Sequence, residues 1–144
     1  MMKGLWMYLP AFFLLGGMCF AQGGAPAATG PLKACPKSPN CVSSQAVDPE
    51  HAIAPLVYTG SVTEAYAQLK KVLSGMKRIK IVAEKEDYLH AEAKSLIFRF
   101  VDDVEFYFPA NEKIIHVRSA SRVGYSDMGV NRNRIEEIRK RFAE

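Results

Sequence analysis

The sequence predicts an α+β fold: an antiparallel sheet of about four strands with two helices packed on one face. Three observations carry this. Apolar residues recur at helical spacing after Ser61 and again after Asp127. Between those stretches the apolar period shortens to two. The chain has 144 residues, of which 49% are hydrophobic and 24% charged, a globular composition at the length of one domain. A net charge of +4 is too small to argue for nucleic acid, and no nucleic-acid partner is expected. Three cysteines are too few for a disulfide scaffold or a four-cysteine zinc site.

Residues 1–21 read as a signal peptide. Lys3 precedes an apolar run from Gly4 to Met18, broken by Pro10, and Cys19-Phe20-Ala21 puts small residues at the minus-three and minus-one positions of a cleavage after Ala21. The run is short for a bilayer span, which needs ~20 residues. Two rivals stay open: a retained membrane anchor, and a lipoprotein using Cys19, although Met18 stands where a small residue is expected. Residues 22–34, small and nearly uncharged, read as a flexible Gly/Pro/Ala tether. The expected location is therefore exported, periplasmic or associated with the cell envelope. Membrane association is expected only through an uncleaved N-terminus or a lipidated Cys19.

Residues 35–144 form the expected domain. Cleavage removes Cys19 and leaves Cys35 and Cys41. Two cysteines this close pair in an oxidising compartment, and the short loop constrains the unfolded chain by ~2–3 kcal/mol. A redox pair favours two intervening residues, and no further cysteine remains for a metal. Residues 35–60 lack a clear period and read as a loop pinned by that disulfide, ending in a short extended piece at Pro55–Tyr58.

The first helix opens with a capping box, Ser61 with Glu64. Val62, Ala65, Tyr66, Leu69, Val72 and Leu73 make its apolar stripe, and Gly75 stops it. Strands follow at Arg78–Glu84 and Tyr88–Ala93, joined by a tight turn at Lys85-Glu86-Asp87. Ser95–Phe100 is apolar without a period and is read as a bend or bulge. Asp103–Phe108 and Lys113–Ser119 form a hairpin. A four-residue loop sets Val104 opposite Val117, Asp103 opposite Arg118, Glu105 opposite His116 and Asp102 opposite Ser119. The last helix is expected over Met128–Phe142 with Asp127 as its N-cap. Its stripe is Met128, Asn131, Ile135, Ile138 and Phe142, in which Asn131 is a polar anomaly.

Asp102 shares the inward face with Val104 and Phe106. With Ser119, Ser121, Arg122 and Asn131 it forms the candidate site: a carboxylate, two hydroxyls, a guanidinium and an amide converging at one end of the sheet. One reading is a polar network that satisfies a buried loop, since an unpaired inward carboxylate is prohibitive. The other is an anion pocket or an acid/base site poised on Asp102. His90 and His116 on the wet face near Glu92 and Glu105 are read as solvated partners, and no metal site or cofactor is expected. Six of the eight arginines lie between Arg118 and Arg141, a cluster that would suit an anionic lipid or polyanion, but interspersed Asp127, Glu136 and Glu137 blunt it and it is read as a solvated helix face. Phe98, Phe100, Phe106 and Phe108 are read as core. There is no G-x-S-x-G elbow, P-loop, H-E-x-x-H or EF-hand loop.

Three segments, Cys35-Pro-Lys-Ser-Pro-Asn-Cys-Val-Ser-Ser-Gln45, Phe100-Val-Asp-Asp-Val-Glu-Phe106, and Arg118-Ser-Ala-Ser-Arg-Val-Gly124 with Asp127-Met-Gly-Val-Asn-Arg132, resemble the DUF1499 family, a domain family of unknown function. The resemblance spans roughly Cys35 to Phe142. It implies a self-contained unit often attached to an export signal or membrane segment, and it carries over no activity or cofactor. The leading expectation is a non-enzymatic envelope module that binds a small anionic ligand or an envelope partner. A hydrolase-like enzyme using Asp102 as acid or base, and a purely structural module, are the alternatives.

Overall fold

The computed structural model describes residues 30–144. The expected signal peptide, and the tether up to residue 29, lie outside the described residues. Of residues 30–34, Leu32 and Gly30 lie against the domain and the others are exposed. Leu32 is buried, and Gly30 lies so close to the Tyr107 ring that a Cβ there would collide with it.

The capping box forms as its chemistry requires. The Ser61 hydroxyl accepts the Glu64 N–H, the Glu64 carboxylate accepts the Ser61 N–H, and α1 runs over Val62–Ser74. Ala65, Leu69 and Leu73 point into the core, whereas Val62, expected on that stripe, is exposed. The second helix, α2, starts later than expected, at Val130, and ends at Phe142. Its N-cap is Gly129, in the left-handed region at φ 80. Asp127 still serves this terminus: its carboxylate accepts the N–H groups of Gly129 and Asn131. Asn131, Ile135, Ile138 and Phe142 are buried as the period predicts, but Met128, placed one turn too early, is 91% exposed.

The sheet has six strands rather than four. Those absent from the expected count are β1 (Cys41–Ser43) and β2 (Leu56–Val57), short pieces within the N-terminal segment. The others are β3 (Ile79–Glu84), β4 (Tyr88–Lys94), β5 (Val101–Tyr107) and β6 (Ile114–Ser121). Five run in the order β1-β6-β5-β4-β3, and β2 adds a short antiparallel pairing to β6. The Cys35–Cys41 disulfide, with its Cα atoms 5.7 Å apart, pins the entry to β1. Leu89, Ala91, Val104, Phe106, Ile115 and Val117 cover the inner face and meet the apolar stripes of both helices in one core.

The β5–β6 register differs from the expected one by two residues. Val104 lies opposite Ser119, Glu105 opposite Arg118, Phe106 opposite Val117 and Asp102 opposite Ser121. A shift of two leaves every side chain on its expected face, so hydrophobic alternation cannot detect it. The connecting segment is longer than four residues because Phe108 leaves the ladder. Its N–H bonds the Asp87 carbonyl and its ring packs against Tyr66.

Candidate functional site

Asp102, the inward carboxylate of β5, meets Arg134 of α2. The Arg134 Nη2 donates to Asp102 Oδ2 at 2.6 Å. The same guanidinium donates through Nη1 to Asn131 Oδ1 at 2.6 Å and Ser119 Oγ at 3.0 Å. Asn131 is 0% exposed, and its amide is saturated. Oδ1 accepts from Ser119 and Arg134, while Nδ2 donates to the Ser121 hydroxyl and the Asn40 carbonyl. One polar side chain thus ties α2 to β6 and to the disulfide-pinned segment. Asn40 extends the tie, its amide donating to the Gly124 carbonyl.

Of the expected cluster, Asp102, Ser119, Ser121 and Asn131 come together. Arg122 does not. It sits on the outer face, where it bonds Asp103 at 2.7 and 2.9 Å and Glu92 at 2.6 Å. The strand-to-helix segment leaves β6 after Ser121, so the next side chain alternates to the opposite face. Arg134 takes the expected place beside Asp102. A signal for it existed: Arg134 lies three residues after Asn131, hence on the same helical face, where an inward carboxylate required a cation.

The outer face is a lattice of ion pairs and hydrogen bonds. Arg118 holds Glu105 at 2.7 Å, His90 holds Asp103 at 2.7 Å, and Tyr88 donates to Glu105. The Arg122 hydrogen bonds keep the Asp103 carboxyl below its ordinary range, against burial. Burial, reinforced by the Glu105 contact, pushes the Tyr88 hydroxyl well up. His116 stacks on Tyr107, its Nδ1 lies 3.1 Å from the Ser44 hydroxyl, and burial lowers its pKa. The arginines of α2 are not a free solvated face. Arg132 donates to the carbonyls of Glu50 and Ala52, and Arg139 to those of Ala54 and Pro55, clamping the N-terminal segment.

A different feature lies directly above Asp102. Eight of the twelve large apolar side chains exposed among the described residues fall in two stretches, 96–100 and 123–130. Phe98 and Phe100, expected in the core with Phe106 and Phe108, belong to them, whereas Phe106 and Phe108 are buried. The 95–100 loop is closed by Ser95, whose N–H donates to the Phe100 carbonyl and whose hydroxyl accepts the Phe100 N–H. The Phe98 and Phe100 rings stack at 5.5 Å. Between the two stretches lies a cleft of about 600 Å³, with Leu96, Ile97, Phe98 and Phe100 on one wall and Val123 and Met128 on the other. Asp102 and Ser121 are at its floor. A second concavity of about 410 Å³, lined by Lys77, Arg78 and Lys94, adjoins it and shares Leu96, Asp102 and Val130.

Of the three non-glycine residues with positive φ among the described residues, Arg78 at 63 and Met128 at 52 line these concavities, and Arg99 at 53 lies in sequence between Phe98 and Phe100 of the cleft wall. Each carries ~1 kcal/mol or more of backbone strain. The sequence signal for this surface was the run Ser95–Phe100, which fits neither period and has no strand partner.

The description "protein of unknown function (DUF1499)" belongs to the family that matches residues 31–142. No curated protein matches the chain.

Proposed function

The chain belongs to the DUF1499 family, and we propose that it acts as a non-enzymatic binding module, with the apolar cleft between residues 95–100 and 123–130 as its binding surface. The observation that carries this is the concentration of exposed apolar side chains on both walls of one cleft. Soluble domains rarely leave such a patch uncovered without a partner for it, and the volume falls within the range of ligand sites. The buried network supports a complementary role. Ser119 and Asn131 are fully enclosed, and Arg134 is neutralised by Asp102. Their hydrogen bonds and charges hold the floor of the cleft rather than wait for an anion. The Asp102 carboxylate is likewise committed to Arg134 instead of standing free as an acid or base. The partner is accordingly apolar in character. An exported, envelope-associated setting is supported by the disulfide, a bond that persists in oxidising compartments.

Nile red, an uncharged dye that brightens in apolar surroundings, tests this reading. The protein is expected to bind it saturably, and Phe98→Asp with Met128→Asp is expected to abolish most of the signal without lowering the melting temperature. Equal dye binding by the variant would overturn the assignment.

A further inference from the structure

We propose that the cleft and its two apolar loops dock on an anionic phospholipid bilayer, an inference that rests on the cleft being the binding surface and adds the class of its partner. The argument begins with charge. Every carboxylate at the cleft is already engaged. Asp102 is held by Arg134, Asp127 accepts the N–H groups of Gly129 and Asn131, and Glu137 of the adjoining concavity is held by Arg141.

Four cations there, unlike Arg134, are not engaged. Six of the eight arginines donate hydrogen bonds to a carboxylate, a hydroxyl or a backbone carbonyl. The remaining two, Arg78 and Arg99, have no side-chain partner among the described residues. Both are exposed and both border the cleft region, as do the similarly unpaired Lys77 and Lys94. Arg99 stands between Phe98 and Phe100 on the apolar loop itself. The rim therefore offers free positive charge beside apolar tips, which is the complement of an acyl layer bordered by phosphates.

The form of the loops favours a fluid surface over a shaped protein groove. Ile97 is 77%, Phe98 74% and Met128 91% exposed. Tyr125, also exposed on the second loop, has the amphipathic ring that suits the headgroup level. The network of Asp102, Arg134, Asn131, Ser119 and Ser121 fixes the strand and helix ends from which the two loops project.

Vesicle flotation of the full chain tests the proposal, with phosphatidylglycerol vesicles set against phosphatidylcholine vesicles. All variants share the same N-terminal run, so differences among them report on the cleft. Arg78→Gln with Arg99→Gln is expected to lower partition into phosphatidylglycerol vesicles roughly 25-fold at low salt, about fivefold per cation, and to leave phosphatidylcholine unaffected. Ile97→Asp with Phe98→Asp is expected to lower partition into both by at least about tenfold. Unchanged partition of both variants overturns the proposal. A concentration-dependent dimer in sedimentation without vesicles, dissolved by Phe98→Asp, also overturns it in favour of a second copy of the chain. Nile red binding retained alongside unchanged partition removes the bilayer and keeps the cleft as the binding surface. Absence of saturable dye binding to the unsubstituted protein removes both.

Discussion

The Asp102 carboxylate of β5 and the Arg134 guanidinium of α2 meet at 2.6 Å, with side chains 10% and 12% exposed. This pair makes an inward-facing acid tolerable and joins the sheet to the helix beneath the apolar cleft. It also consumes the one arginine that reaches the cluster from the core side.

Removing one partner strands the other. Asp102→Ala should destabilise the domain by about 3 kcal/mol, the lower end for a buried ion pair, because the cleft admits some water. Asp102→Leu with Arg134→Leu should recover most of that loss, since a buried pair and an apolar pair of similar volume are often close in stability. Urea denaturation of the two variants checks this. A single variant as stable as the parent would show that the pair carries no structural load.

Asn131→Leu should cost about 3 kcal/mol despite being apolar on an apolar stripe. Four hydrogen bonds are lost together, and the enclosed Ser119 hydroxyl and Asn40 carbonyl each lose a partner. Thermal unfolding followed by calorimetry reads this directly; an unchanged or raised melting temperature would contradict it.

The register of the hairpin predicts which charges rescue one another. Asp103→Lys should cost ~0.5–1 kcal/mol, the range for a partly exposed pair. Arg122→Glu should restore part of it, because Asp103 bonds Arg122. Arg118→Glu should not, because Arg118 bonds Glu105. A double-mutant cycle distinguishes the two registers, and rescue by Arg118→Glu alone would support the four-residue loop.

That contrast shows what the sequence could convey. Face assignment was legible throughout: Asp102, Val104 and Phe106 turn inward, and Asn131 shares a stripe with Ile135 and Ile138. Register was not, because a shift by two preserves each face and also creates a new set of opposite-charge neighbours. The strand at Cys41–Ser43 was hidden because three residues are too few to show alternation. The side that Arg122 takes depends on where β6 stops, and Arg134 is one of several arginines on the helix, so neither position follows from composition. Hydrophobicity points Phe98 and Phe100 to the core, but it is a preference of residue types rather than of positions.

The two histidines whose values shift should titrate in opposite directions. His51 lies with Nδ1 2.6 Å from the Asp48 carboxylate and Nε2 3.1 Å from the Ser38 carbonyl, so both ring nitrogens donate only in the imidazolium form. Burial opposes that charge most strongly, but the Ser38 carbonyl and the Asp48 carboxylate, with Glu50 nearby, together raise the pKa. The resulting stabilisation is complete below the unfolded value of about 6.5 and fades as pH rises through the folded value. His116 is lowered by burial, against the pull of Glu112, so its contribution is present above about 6.5 and is lost as pH falls toward its folded value. Histidine ring-proton NMR should place the His51 midpoint above, and the His116 midpoint below, the ordinary value. His51→Gln should flatten the loss of stability above neutral pH. The reverse order of midpoints would contradict the geometry.

The central claim is that the apolar cleft, and not the polar cluster beneath it, is the binding surface. Methyl-resolved NMR during parallel titrations with sodium decanoate and inorganic phosphate tests it most directly. Decanoate should shift the methyl signals of Leu96, Ile97, Val123, Met128 and Val130 saturably, while phosphate alone leaves the Asn131 side-chain amide and the Arg134 guanidinium signals in place. Phosphate shifts centred on Asn131 and Arg134, with the methyl signals of the two loops unmoved by decanoate, would contradict it.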